Sequence, residues 1–142
     1  PKRDWSSDVC SSDLAFGPEH PSVVAALNSL GGLFQDQGKY SEALPVFERA
    51  LRIEEKTLGQ DHPDIATSLN NLATLNFYLG ANEMAESLYI RSLEIYENAY
   101  GKEHPFVATV LVNMVEFYEK TGRRGEAGIF AERLKQIQSR YQ

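Results

Sequence analysis

The residues to test first for chemistry are three histidines. His20, His62 and His104 each precede a proline inside a Gly-x-(Glu/Asp)-His-Pro motif that begins at Gly17, Gly59 and Gly101, a spacing of 42 both times. Imidazole can ligate a metal or move a proton. Equivalent points of successive repeats, however, stand at least a helix-packing distance of roughly 8 to 10 Å apart, so the three rings cannot converge on one ion. Their place before a proline at a helix start, with Asp61 and Asp64 beside His62, predicts helix capping at the positive end of the helix dipole. Arg49, Arg91 and Arg133 follow the same spacing and could form a basic ladder for an anion. Glu48, Glu94 and Glu132 lie close by, which predicts local ion pairs instead. The single cysteine, Cys10, makes neither an internal disulfide nor a Cys-based metal site. No HExxH, phosphate-cradling glycine loop or G-x-S-x-G elbow is present. The expectation is a chain with no catalytic residue, no metal, no cofactor and no small-molecule substrate.

The composition points the same way. With 14 basic and 20 acidic residues in 142, and a net charge of −6, the chain lacks the clustered cations that neutralise phosphates, so a nucleic-acid partner is not expected. No apolar run approaches the roughly 18 residues of a membrane span, and no signal peptide is written at the start, which makes a cytoplasmic setting the expectation. Trp5 and Cys10, each the only one of its type, fall inside PKRDWSSDVCSSDL, a segment unlike the rest. Asp4 to Asp13, with Leu14, resembles the conceptual translation of a common sequencing adapter. Residues 1–14 are therefore set aside as an artefactual tail.

What must position any functional side chain is a repeat. Aligned without gaps as 17–58, 59–100 and 101–142, the chain has eight columns identical in all three copies, among them Leu27/Leu69/Leu111, Gly38/Gly80/Gly122, Ala43/Ala85/Ala127 and Ile53/Ile95/Ile137. Ala15 and Phe16 fit the end of a truncated preceding repeat. In the second copy Ile65, Ala66, Leu69, Leu72 and Ala73 recur at helical spacing, predicting helix A over about Pro63 to Tyr78 with proline at its start and Gly80 as its left-handed stop. Helix B is expected from about Asn82 to Asn98, with Ala85, Leu88, Tyr89, Leu93 and Ile95 or Tyr96 inward and Gly101 closing it. Pro45 is expected within the first turn of its helix B, and Met84 and Met114 in core or partly buried packing. The short link makes A and B an antiparallel hairpin, so the fold class is all-α.

Leu69-Asn70-Asn71-Leu72-Ala73, the glycine at the turn and Tyr40-Ser41-Glu42-Ala43 opening helix B resemble the tetratricopeptide repeat. Thr57-Leu58-Gly59-Gln60-Asp61-His62-Pro63 is similar to the inter-repeat motif of its 42-residue, kinesin-light-chain variety. The resemblance covers residues 15–142. It departs at Asn76, where Phe34 and Tyr118 supply an aromatic, and at Gly128 and Lys135, where the first copy has Leu44 and Leu51. It implies an α-solenoid of three repeats cut from a right-handed superhelix. Lys135, Gln136, Gln138 and Arg140 in a last helix expected over Ala127 to Tyr141 suggest that the third repeat is a C-terminal cap.

With Leu69, Leu72, Ala73 and Asn76 inward, helix A of the second repeat is expected to turn Thr67, Asn70, Asn71, Thr74, Phe77 and Tyr78 outward. In the family resembled, that face lines a concave groove for an extended peptide. The matching positions are Ala25, Asn28, Ser29, Gly32 and Gln35 in the first repeat and Thr109, Val112, Asn113, Glu116 and Glu119 in the third. An asparagine amide offers two donors and an acceptor, which suits a peptide backbone of any sequence. The set contains no Lys or Arg, so a carboxylate-clamp ligand is not expected, and Glu116 and Glu119 favour a neutral-to-basic peptide. The resemblance thus implies a non-catalytic protein-interaction scaffold. The alternatives are a sensor or regulatory arm of a larger signalling protein with an NTPase or caspase-like protease part, and a structural module that self-associates through exposed repeat ends.

Overall fold

The computed structural model describes residues 20–141. The expectations for residues 1–14, for Ala15 and Phe16 and for the first Gly-x-Glu motif at Gly17 lie outside them. Among the described residues six helices follow one another: α1 (Pro21–Asp36), α2 (Tyr40–Leu58), α3 (Pro63–Tyr78), α4 (Asn82–Tyr100), α5 (Pro105–Lys120) and α6 (Arg124–Arg140). Helix A of the second repeat has the bounds the periodicity gives, while its helix B runs two residues further, to Tyr100. The last helix starts three residues before Ala127, at Arg124, the position equivalent to Tyr40 in α2 and Asn82 in α4, and ends at Arg140.

Each A-type helix starts and stops by local chemistry. His20, His62 and His104 are the N-caps, each with Nδ1 accepting the backbone N–H two residues on, at 3.1 Å. That use needs the neutral ring with Nδ1 bare, and it satisfies a donor the first turn leaves orphaned. At the other end Gly80 has φ +83°, donates to the Phe77 carbonyl at 3.0 Å, and lets Ala81 reach the Asn76 carbonyl at 2.8 Å. This doubly bonded stop requires a left-handed residue, and the pattern repeats at Gly38 and Gly122.

Two compact units result, divided after Gln60. In the first, α1 and α2 form a hairpin whose buried centre is Val23, Leu27, Ala50 and Ile53, with Val24, Leu30 and Val46 packed against it. Gly31 passes so close to Phe47 that a methyl group on it would lie 2.8 Å from the ring. In the second unit α3 and α4 form one hairpin and α5 and α6 another, with α5 laid against α4 and touching α3. Its interior holds Ile65, Leu69, Leu75, Tyr89, Val107, Leu111, Met114 and Phe117, all at or below 2% exposure. In the columns of Gly31 and Phe47, the second repeat has Ala73 and Tyr89 and the third Val115 and Ala131. Where the A-helix residue is glycine or alanine the B helix carries a ring, and where it is the branched Val115 the B helix has only alanine.

Two packing expectations are corrected. Met84 is 55% exposed, because it lies in the first turn of α4, on the side away from Ala85. Pro45 is the sixth residue of α2, beyond the first turn. The helix begins at Tyr40 and its first backbone bond is already made by Ala43, so Pro45 forgoes one interior bond, at an exposed position.

Candidate functional site

The A-type helices position the residues singled out from the sequence, and within the second unit α3 and α5 bring several of them together. Asn113 Nδ2 donates to Asn70 Oδ1 at 3.1 Å, a bond between neighbouring repeats. Asn70 is only 7% exposed, which corrects its expected outward placement: α5 covers that side of α3, and the partner amide makes burial affordable. Asn113 remains half-buried, with its own carbonyl oxygen not used in that bond. Asn71, one position on, is exposed, as are Thr67, Tyr78 and Thr109.

Two threonines of this face are turned toward the B helix. The Thr67 hydroxyl meets the Tyr96 hydroxyl at 2.5 Å. Thr74 donates to the Asn70 carbonyl at 3.1 Å and meets the Tyr89 hydroxyl at 2.8 Å. Burial pushes the Tyr89 phenol up to about 12, with Thr74 opposing the shift in part. Phe77 is half-buried rather than outward, since its ring packs edge-on against Phe117 at 5.4 Å. In the first unit Asn28 and Gln35 are half-buried and Ser29 is exposed on α1.

A cation that the sequence reading left out belongs to this face. Lys120, in the column of Tyr78, bonds Glu116 at 2.6 Å, and that carboxylate raises the Lys120 ammonium above its usual range. The Glu-x-x-x-Lys spacing signalled it. The charge of Glu116 is thereby shared, while Glu119 stays exposed. Arg133 is corrected as well: its partner is Glu97 of the preceding repeat, at 2.8 Å, not the adjacent Glu132. Packing α5 between the two B helices brings the long Arg133 and Glu97 side chains together in a partly buried site. Arg123 likewise reaches back to Glu86 of the preceding repeat, Arg140 pairs with Glu103 of its own repeat, and Arg123 also lies over the Tyr118 ring at 4.8 Å. Burial, then Glu86, raises the Tyr118 phenol.

Among the described residues no group of three or more His, Cys, Asp or Glu could hold a metal, and no helix is long and apolar enough to cross a membrane. The sequence profile of the tetratricopeptide repeat family matches residues 11–56, 22–89 and 64–140. The chain belongs to the tetratricopeptide repeat family. Repeats of this family generally mediate protein–protein interaction on a scaffold that is generally non-catalytic.

Solved structures narrow the likeness to the kinesin-light-chain type. A kinesin-light-chain-like protein of Podosopora anserina with nearly identical TPR-like repeats is 27% identical, with a TM-score of 0.82 over 97% of this chain and 65% of its own. A variant of it gives 26%, 0.83, 96% and 65%. BtubC (BKLC) from P. vanneervenii is 26% identical, with a TM-score of 0.79 over 85% of this chain and 48% of its own. This chain thus spans from just under half to just under two thirds of the length of those proteins. No curated protein matches it.

Proposed function

We propose that this tetratricopeptide repeat chain is a protein-interaction module that holds an extended peptide segment of a partner against its A-type helices. The observation that carries this reading is the Asn70–Asn113 amide pair. It ties α3 to α5 and fixes the half-buried Asn113 amide, with exposed Asn71, Thr67 and Thr109 around it. In this reading Asn71, Thr109 and Asn113 contact the peptide backbone and Asn70 positions Asn113. Thr74 braces the Asn70 turn, and Tyr78 supplies an exposed ring at the far end. Asn28, Ser29 and Gln35 would serve the same purpose on the first repeat. A backbone-reading amide tolerates many sequences. Glu119, and the half-neutralised Glu116, favour neutral-to-basic peptides over acidic ones.

The test is fluorescence anisotropy with labelled extended peptides of graded charge. An Asn71→Ala, Asn113→Ala double change should weaken binding about thirtyfold, since each lost hydrogen bond contributes about 1 kcal/mol. Binding that ignores this change, or that prefers acidic peptides, defeats the reading.

A further inference from the structure

A group of aromatic rings gathers where α4 ends and α5 begins. Tyr100 stacks on His104 at 4.6 Å, His104 meets Phe106 at 4.8 Å, and Tyr100 meets Phe106 at 5.3 Å with the ring planes 77° apart. Beneath them buried Tyr96 touches Phe106 at 5.5 Å and Tyr100 at 6.2 Å, and its own hydroxyl meets that of Thr67. The cluster is thus fixed from below while its outer members stay in water: Tyr100 is 44% and Phe106 47% exposed. Leu58 stands in the column of Tyr100, and Ser22 and Asp64 in that of Phe106, so the rings belong to this junction alone among the described residues. The column of Phe106 faces outward inside the unit as well, since Asp64 is exposed with the third repeat packed against its hairpin.

The polar atoms around the rings are donors. His104 accepts the Phe106 N–H at Nδ1, so the neutral ring carries its proton on Nε2. Tyr100 adds a hydroxyl and exposed Lys102 an ammonium. The carboxylate of this loop, Glu103, is engaged by Arg140. Phe106 lies one turn before Thr109 and two turns before Asn113 on α5, which sets the rings on the face that carries those residues.

Apolar rings edged by donors match a ligand that is compact, flat-sided, rich in acceptors and poor in donors. Proline in an extended segment has those properties: it lacks an N–H, and a polyproline II backbone displays its carbonyls free of internal hydrogen bonds. A cationic side chain would also be drawn to the rings, but Lys102 sets a like charge beside it and Glu103 is already shared with Arg140.

We propose that Tyr100, His104 and Phe106 form a platform for a proline-rich, polyproline II segment of a partner protein, with a proline ring against Tyr100 and Phe106 and a ligand carbonyl accepting from His104 Nε2–H. This rests on the reading that the A-type helices hold an extended peptide, and it adds what that peptide contains. Aromatic surfaces with polar tips take such segments because the ligand is already extended and loses little freedom on docking.

Fluorescence anisotropy with three labelled Ser/Gly peptides of equal length, whose cores are proline, alanine or lysine, tests this. The proline core should bind the tightest. Tyr100→Leu and Phe106→Ser install the residues found in the same columns of other repeats, so the helices should keep their starts and stops, which circular dichroism checks. Each should weaken the proline core by about three- to tenfold, the range of one aromatic contact, and leave the alanine core unmoved. No binding of the proline core, equal binding of the proline and alanine cores, tighter binding of the lysine core, or a proline preference that survives both substitutions overturns the proposal. The two readings fail separately. Binding that falls with Asn71→Ala, Asn113→Ala but ignores proline content defeats the platform alone, whereas a proline preference lost in Tyr100→Leu and indifferent to the asparagine changes defeats the backbone-reading face alone.

Discussion

Gly31 and Gly32 are adjacent in α1, and replacing each by alanine separates two effects that usually come mixed. Both substitutions should gain helix propensity, about 0.8 to 1 kcal/mol in a helix interior. For Gly32 nothing lies within 4 Å of the added Cβ, so that gain stands alone and the urea midpoint rises. For Gly31 the methyl would sit 2.8 Å from Cε2 and Cζ of Phe47, against an optimal carbon separation of about 3.5 to 4.0 Å. The ring, itself 5% exposed, must move by more than half an ångström at about that spacing, in a core where overpacking costs about 1 to 3 kcal/mol. The net effect is a destabilisation of about 1 kcal/mol, and the two variants should differ by about 1 to 3 kcal/mol. Urea unfolding followed by circular dichroism, with the m-value checked for constancy, measures both. Adding Phe47→Leu to Gly31→Ala should recover part of the loss, a coupling that a cycle of the four proteins isolates. A Gly31→Ala protein as stable as Gly32→Ala would refute the steric argument and the Gly31/Phe47, Ala73/Tyr89, Val115/Ala131 compensation built on it.

Two further outcomes follow from local chemistry. His62→Ala should cost about 1 kcal/mol through loss of the cap on Asp64 N–H, and His62→Asn, which keeps an acceptor, should cost only a few tenths; equal losses in thermal melts would show that the imidazole packs rather than caps. Tyr89 should titrate near pH 12 by ultraviolet difference spectroscopy, well above an ordinary tyrosine. Its folded-state value is raised, so the stability it contributes is complete below about pH 10 and is lost as pH climbs toward the folded value. Tyr89→Phe should therefore unfold less steeply in that alkaline window, and an unchanged slope would count against the burial argument.

The sequence by itself determined the 42-residue period, the all-α class, the A/B hairpins and the family. It also determined the start and stop of each A helix, because the His cap, the proline and the left-handed glycine act over two to five residues of chain. Helix A of the second repeat was legible to the residue for that reason. The candidate face was only partly legible. Periodicity turned Asn70 outward, but α5 buries it against Asn113, 43 residues on. Arg133 was read with its neighbour Glu132, and stacking gives it Glu97, 36 residues back. Those partners were set by the register of one hairpin on the next. That register is decided by which side chains fill the seam, Tyr89 against Phe117 and Tyr96 against Phe106, and a single helix carries no record of the surface it will meet.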